Sequence, residues 1–142
     1  MTYDSTNVPK MFKKVKWRSY SVNLDIGGGY HEDATLYLAE RKVHNIVYDP
    51  DNRSAKHNEK AIMFVLGIGG SHSVTLSDVL NLYPSRKDRD AILYYSNFLA
   101  RKGAPVYISV YEENLDEYAD AIAKRFKIIN ISSDMITAIK AD

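Results

Sequence analysis

The sequence predicts an α/β fold: a three-layer sandwich on a mainly parallel sheet, closed by a C-terminal β-hairpin. Three observations carry this. Runs with strand alternation give way four times to stripes with helical spacing, the order expected of βα units stacked on one sheet. Glycine or proline punctuates the junctions, at Gly27-Gly28-Gly29, Pro50, Gly69-Gly70 and Gly103. The last two apolar runs meet around Ser132-Ser133-Asp134 with no helical stripe between them. That reads as a hairpin and makes the final strand antiparallel.

At 142 residues one domain is the natural expectation, long enough to bury a real core. A formal charge of +1 with 26% charged residues excludes a polyanion mimic and a generally basic nucleic-acid binder. There is no cysteine. Disulfides, thiolate zinc sites and cysteine nucleophiles are therefore excluded, and a reducing cytoplasm is permitted. No long apolar run follows the N-terminal charges as in a signal peptide, and none approaches the roughly 20 residues of a membrane span. A cytoplasmic protein with no membrane partner is expected.

Residues 1–9 are polar and aperiodic, the pattern of a loose tail. Residues 10–18 are basic, with Met11, Phe12, Val15 and Trp17 interleaved. As a short helix they set Phe12 and Val15 on one face, Lys13 and Lys14 on another. Such a segment is either a packing turn with a solvated side or a contact for phosphate or an acidic partner. The domain proper is expected over 19–142. Its first strand, 19–25, alternates Tyr20, Val22 and Leu24 with Ser19, Ser21, Asn23 and Asp25. A central parallel strand is usually apolar on both faces, so the small polar set is out of place.

A helix over 31–42 opens with Glu32 and Asp33, favourable against its dipole. A strand over 43–49 stops at Pro50, and Ser54 caps a helix over 54–66. A strand over 73–78, a helix over 86–101 and a strand rich in β-branched and aromatic residues over 105–111 follow. The stripe Leu115, Tyr118, Ile122 and Phe126 marks the last helix.

The glycine turn says most about a ligand. It leaves a strand and enters a helix, where open α/β sheets hold nucleotides. Yet the dinucleotide pattern GxGxxG fails, because its third glycine position is Glu32, and no Gly-Lys-Ser/Thr follows for a P-loop. Asp25 before the turn, and Glu32 and Asp33 after it, would repel a pyrophosphate. They suit a ligand with cations and hydroxyls and no phosphate.

Leu24-Asp25-Ile26-Gly27-Gly28-Gly29 resembles motif I of the class I S-adenosylmethionine-dependent methyltransferases, the D-x-G-x-G turn. The resemblance implies a Rossmann-like methyltransferase sandwich with S-adenosyl-L-methionine as cofactor. It implies that the backbone of Gly27, Gly28 and Gly29 packs on the cofactor and that Asp25 reaches its methionyl amino group. The family's acid on the ribose hydroxyls corresponds to Asp49, with Pro50 beside it. Tyr48-Asp49-Pro50-Asp51-Asn52-Arg53 with His57-Asn58, and Leu76-Ser77-Asp78-Val79-Leu80-Asn81, are similar to segments of a small methyltransferase-like subgroup common in bacteria and phages. The latter segment corresponds there to motif IV, which implies that Ser77 and Asp78 lie at the cofactor. The likeness spans residues 22–141.

The chain departs from that pattern in three ways. The helix over 54–66 runs through glycines straight into 73–78, where the family has a further strand and helix. The sheet is therefore expected to be trimmed by one strand, leaving the second strand near a border that invites self-association or cover by a loop. Adenine would then rest on Leu66 or Ile68, or on Tyr48 and Pro50. The helices or inserted domain that hold a methyl acceptor are missing, and only residues 1–18 remain for that task. Motif IV lacks the prolines of amino-group DNA methyltransferases.

Asp78, Tyr111 and Glu112, at the carboxyl ends of their strands, are the candidate catalytic groups, as base or acceptor clamp. The plain alternative for Asp25 and Asp49 is a strand-end acid that caps a loop, and for Asp78 a helix cap. The four histidines are scattered without a carboxylate cluster, so no metal site is expected. Three functions compete. The first is a small methyltransferase with an unidentified acceptor. The second is a non-catalytic trimmed fold acting through cofactor or protein-partner binding, with homo-oligomers at its open edge. The third is a nucleic-acid modifier with Lys10, Lys13, Lys14, Lys16 and Arg18 as a phosphate track and Trp17 and Tyr20 to stack.

Overall fold

The computed structural model describes residues 2–83, 85–110 and 115–141. Six strands form one sheet: β1 (Ser21–Ile26), β2 (Val43–Tyr48), β3 (Ser73–Ser77), β4 (Pro105–Ser109), β5 (Lys127–Ile131) and β6 (Ile136–Ile139). Their order is β2-β1-β3-β4-β6-β5, with β2, β1, β3 and β4 parallel and β6 antiparallel to both neighbours. The mainly parallel sheet and the closing hairpin are as expected from the sequence.

Five helices cover it: α1 (Lys10–Lys14), α2 (Asp33–Glu40), α3 (Ala55–Gly67), α4 (Arg86–Leu99) and α5 (Asp116–Ala123). The connection from β1 through α2 to β2 moves outward in one direction, and those through α3 and α4 return in the other. Right-handed crossovers therefore put α2 on one face of the sheet and α3 and α4 on the opposite face. The larger core lies on the second face, where Leu24, Val74, Leu76, Val106 and Ile108 meet Val65, Leu93 and Ile122.

The smaller core holds a correction. Residues 1–9 are expected as a loose tail, but among the described residues 2–9 Val8 is buried and Tyr3 packs on Tyr37, while Asp4 to Asn7 stay exposed. Val8, Met11 and Phe12 are buried against Tyr37, Leu38 and Val43. Asp33 accepts hydrogen bonds from the Asp4 backbone N–H (2.8 Å) and the Asn7 amide (3.1 Å). Helix α1 is only five residues long, so its buried pair is Met11 and Phe12, with Val15 beyond its end. Trp17 is half-buried, its ring against Phe12 and Tyr107 and its indole N–H on the Phe12 carbonyl at 2.8 Å.

Strand β2 is the trimmed border. Its outer backbone groups do not all face solvent. The Asn58 side chain accepts from the Asp49 N–H (2.9 Å) and donates to the Asp49 carbonyl (3.0 Å), while the His57 ring bonds the Val47 carbonyl (2.8 Å). Two neighbouring side chains of α3 thus occupy part of the hydrogen-bonding row that another strand would fill.

Candidate functional site

The small polar residues of β1 belong to a buried ladder on the α2 face. Asn23 is fully buried; its amide donates to Asn45 Oδ1 (2.9 Å) and Thr75 Oγ1 (3.0 Å), and its carbonyl accepts from Ser73 Oγ (2.8 Å). Thr75 Oγ1 donates to Asp25 Oδ1 at 2.9 Å, and Asn45 donates to Thr35 at 3.1 Å. The register that pairs Asn23 with both Asn45 and Ser73, and Asp25 with Thr75, makes this possible. Sequence reasoning missed Asn45, Ser73 and Thr75. Their shared signal was a small polar residue of matching parity in three adjacent strands.

Asp25 stands at the top of the ladder, directly beneath the glycine turn. Burial pushes its carboxyl up to about 7, against the lowering effect of the Thr75 hydroxyl and the Asn45 amide; Asp49 adds to the rise and Arg53 opposes it. The turn above is closed by contact. A Cβ on Gly28 would lie 2.5 Å from Asp25 Oδ2, and one on Gly27, at φ +73°, 2.6 Å from Val79. Gly29, at φ +76°, faces open space. Val79 itself is buried, so the strand-order reversal between β1 and β3 is filled at that level by its side chain.

Asp49 is buried, and its carboxylate turns onto the protein. Oδ2 accepts from the Gly29 N–H (2.8 Å) and the Asn52 amide (3.0 Å); Oδ1 accepts from the N–H groups of Asp51 (3.0 Å) and Asn52 (3.1 Å). Those four bonds fill the roughly four lone-pair sites of a carboxylate. Arg53, four residues on, donates to the Gly29 carbonyl (2.7 Å) and to Glu32 (2.7 Å), with its remaining nitrogen buried and unpartnered. Sequence reasoning set Arg53 beside Asp49 but did not name Gly29 and Glu32 as its partners.

Two recesses flank the Gly27–Val79 contact. One, of about 540 Å³, is apolar and is lined by Ile26, Tyr48, Pro50, Tyr83, Ile92 and Tyr95. Tyr48 and Pro50 are thus placed together, whereas Leu66 and Ile68 lie at the far end of α3. The other, of about 400 Å³, lies between Ser77, Asp78 and Ser109 and the segment Asn7, Pro9 and Lys10. Asp78 sits at its mouth with φ +56°, its N–H on the Ser109 carbonyl at 3.0 Å. Partial burial raises its pKa, opposed by the Ser109 hydroxyl at 3.4 Å. Tyr111 and Glu112 lie outside the described residues. Among the described residues no cluster of histidines and carboxylates could hold a metal ion.

The sheet ordered β2-β1-β3-β4-β6-β5, with a glycine turn after β1 and an antiparallel hairpin at its end, superposes on several solved methyltransferases. An O-methyltransferase family 2 protein from Planctomyces limnophilus, in complex with apigenin, superposes at a TM-score of 0.63 and 16% identity over 87% of this chain. The fold is that of the class I methyltransferases. A release-factor-specific protein-(glutamine-N5) methyltransferase from Alicyclobacillus acidocaldarius matches 94% of the chain at a TM-score of 0.56 and 18% identity. A T. thermophilus 16S rRNA N2 methyltransferase, in complex with AdoMet and guanosine, matches 93% at 0.58 and 12%. The chain spans 50% of the first protein, 86% of the second and 38% of the third. The sequence matches no family model and no curated protein. Relative to the methyltransferase sheet one strand is missing, beside β2.

Proposed function

We propose that the chain binds S-adenosyl-L-methionine and is a small methyltransferase with an unidentified acceptor. The observation that carries this reading is the Asp25 carboxylate, buried without a directly bonded cation beneath a turn whose Gly28 has no room for a Cβ. An ammonium group at the open side of Gly29 would supply the missing positive charge. The half of the site formed by Asp25, Gly27, Gly28 and Gly29 fits the cofactor's methionyl end. Asp49 fits less well, because a ribose would have to displace one of its four present donors. Tyr48, Pro50 and Tyr83 offer an apolar wall for adenine. Ser77 and Asp78 face the acceptor side, where a carboxylate of raised pKa suits a general base. Tyr111 and Glu112 are proposed, with Asp78, as base or acceptor clamp.

The saturation of Asp49 favours a second reading, a non-catalytic protein that keeps the methyltransferase fold for partner binding. Calorimetry separates the two. S-adenosylmethionine or its demethylated product should bind, and Asp25→Ala should weaken binding by about tenfold, the scale of one charge-assisted contact. The absence of any heat at millimolar cofactor rejects the first reading.

A further inference from the structure

The two ends of this sheet carry opposite charge. Strands β1 to β4 begin together at one end, and the antiparallel β6 finishes there. Helices α2, α4 and α5 also finish there, followed by Arg41 and Lys42, by Arg101 and Lys102, and by Lys124 and Arg125. Those six complement helix C-termini. Lys140 bonds the Ala100 carbonyl at the end of α4 (2.8 Å), whereas Lys16, Arg18 and Lys127 reach the same end outside any helix. Among the described residues that end holds one carboxylate, Glu40.

A second observation comes from Tyr20. It is 80% exposed and sits at φ +63°, a region that a bulky side chain rarely occupies. The Tyr20 N–H donates to the Lys42 carbonyl at 2.7 Å, and the Lys42 ammonium donates to the Tyr20 hydroxyl at 3.2 Å. A ring is thus held out in solvent on strained backbone, with the Lys42 ammonium 5.4 Å from its centroid. Beside it lies a recess of about 140 Å³ lined by Lys16, Arg18, Ser21, His72 and Pro105. His72 Nδ1 accepts the Val22 N–H at 2.9 Å, which leaves Nε2 to carry the ring proton. Burial, then the nearby Arg101 and Arg18, lowers the His72 pKa.

We propose that the amino end of the sheet binds single-stranded nucleic acid, with phosphates on Lys16, Arg18 and His72 and an unstacked base on Tyr20. The track differs from the one expected from sequence. Lys13 bonds the Ser5 carbonyl, Lys14 pairs with Asp134, and Trp17 is half-buried, its ring against Phe12 and Tyr107 in the wall of that recess. What replaces them is a line from Lys42 to Lys127 across six strands, about 24 Å at the usual strand spacing. A linear polyanion fits a line of cations, and a projecting ring adds a base-stacking contact that an acidic peptide would not use.

The test uses the full chain and a fluorescein-labelled oligothymidylate, followed by anisotropy over a salt series. Binding should tighten at low salt. The double variant Lys16→Glu/Arg18→Glu should flatten the logarithmic salt slope by about 1.4, at about 0.7 per lost phosphate contact. Tyr20→Ala should weaken binding about tenfold without changing the slope. Tyr20→Asn should do the same, and because asparagine tolerates this backbone it should leave urea stability equal or higher. Lys87→Glu, at the opposite end, should change neither quantity. Unaltered binding in the double variant overturns the proposal. So does binding to phosphatidylserine vesicles, or self-association at low salt, without oligonucleotide binding.

Discussion

Asp25 carries a charge that folding strips of water. Its carboxyl moves from 3.8 to about 7 in the folded protein. The folded state therefore holds the proton more tightly than the unfolded chain does. The resulting stabilisation is complete below the unfolded pKa and is lost as pH rises through 7, on the order of 4 kcal/mol. Urea unfolding of wild type and Asp25→Asn should show the variant gaining relative stability between pH 4 and 7, with a flat difference on either side. A constant difference across that range would assign the buried charge to another group. The glycines grade differently. Gly28→Ala forces a Cβ within 2.5 Å of Asp25 Oδ2 and should cost on the order of 3 kcal/mol. Gly29→Ala meets only backbone strain, about 1 kcal/mol. The positions of Asp25 and Asp49 were legible from spacing along the chain. The direction Asp49 faces was not, because its donors are mainly backbone N–H groups of loops whose shape no residue pattern encodes.

At the scale of elements, β1 to β4, the four long helices and the hairpin were legible because each carries a periodicity or a breaker. In the N-terminal segment the short helix with Phe12 on its packing face was legible, and the burial of Val8 and Met11 was not. Val8, Met11 and Phe12 span a turn and a five-residue helix, too short for a repeating stripe to appear. Phe12 is nonetheless fully buried, and Phe12→Ala should destabilise by about 3–5 kcal/mol in denaturant titration. A smaller loss would mean that the segment detaches freely. Asn58 makes the parallel point for α3. Its amide meets the Asp49 peptide as a neighbouring strand would. Asn58→Ala leaves a buried N–H and C=O unpaired, a cost of roughly 2–4 kcal/mol. Hydrogen exchange at Asp49 should accelerate with it; unchanged exchange would show that the bond does not hold the loop. Asn58→Asp, which sets a buried carboxylate oxygen against the Asp49 carbonyl, should cost at least as much.

At the scale of the molecule, the formal charge of +1 gave no hint of two unlike ends. Separation of charge depends on which strand ends and helix ends the topology gathers, and that is decided by the sheet order rather than by any stretch of sequence. Cations trail the helices at the strands' starting end, whereas Glu32, Asp33, Asp51, Asp88 and Asp116 gather where the helices begin. Such a molecule behaves in a column unlike its isoelectric point suggests. Near neutral pH and at low salt it should be retained by both cation- and anion-exchange resins, presenting a different end to each. Reversing Lys16 and Arg18 should shorten retention on the cation exchanger while leaving the anion exchanger's grip intact or stronger.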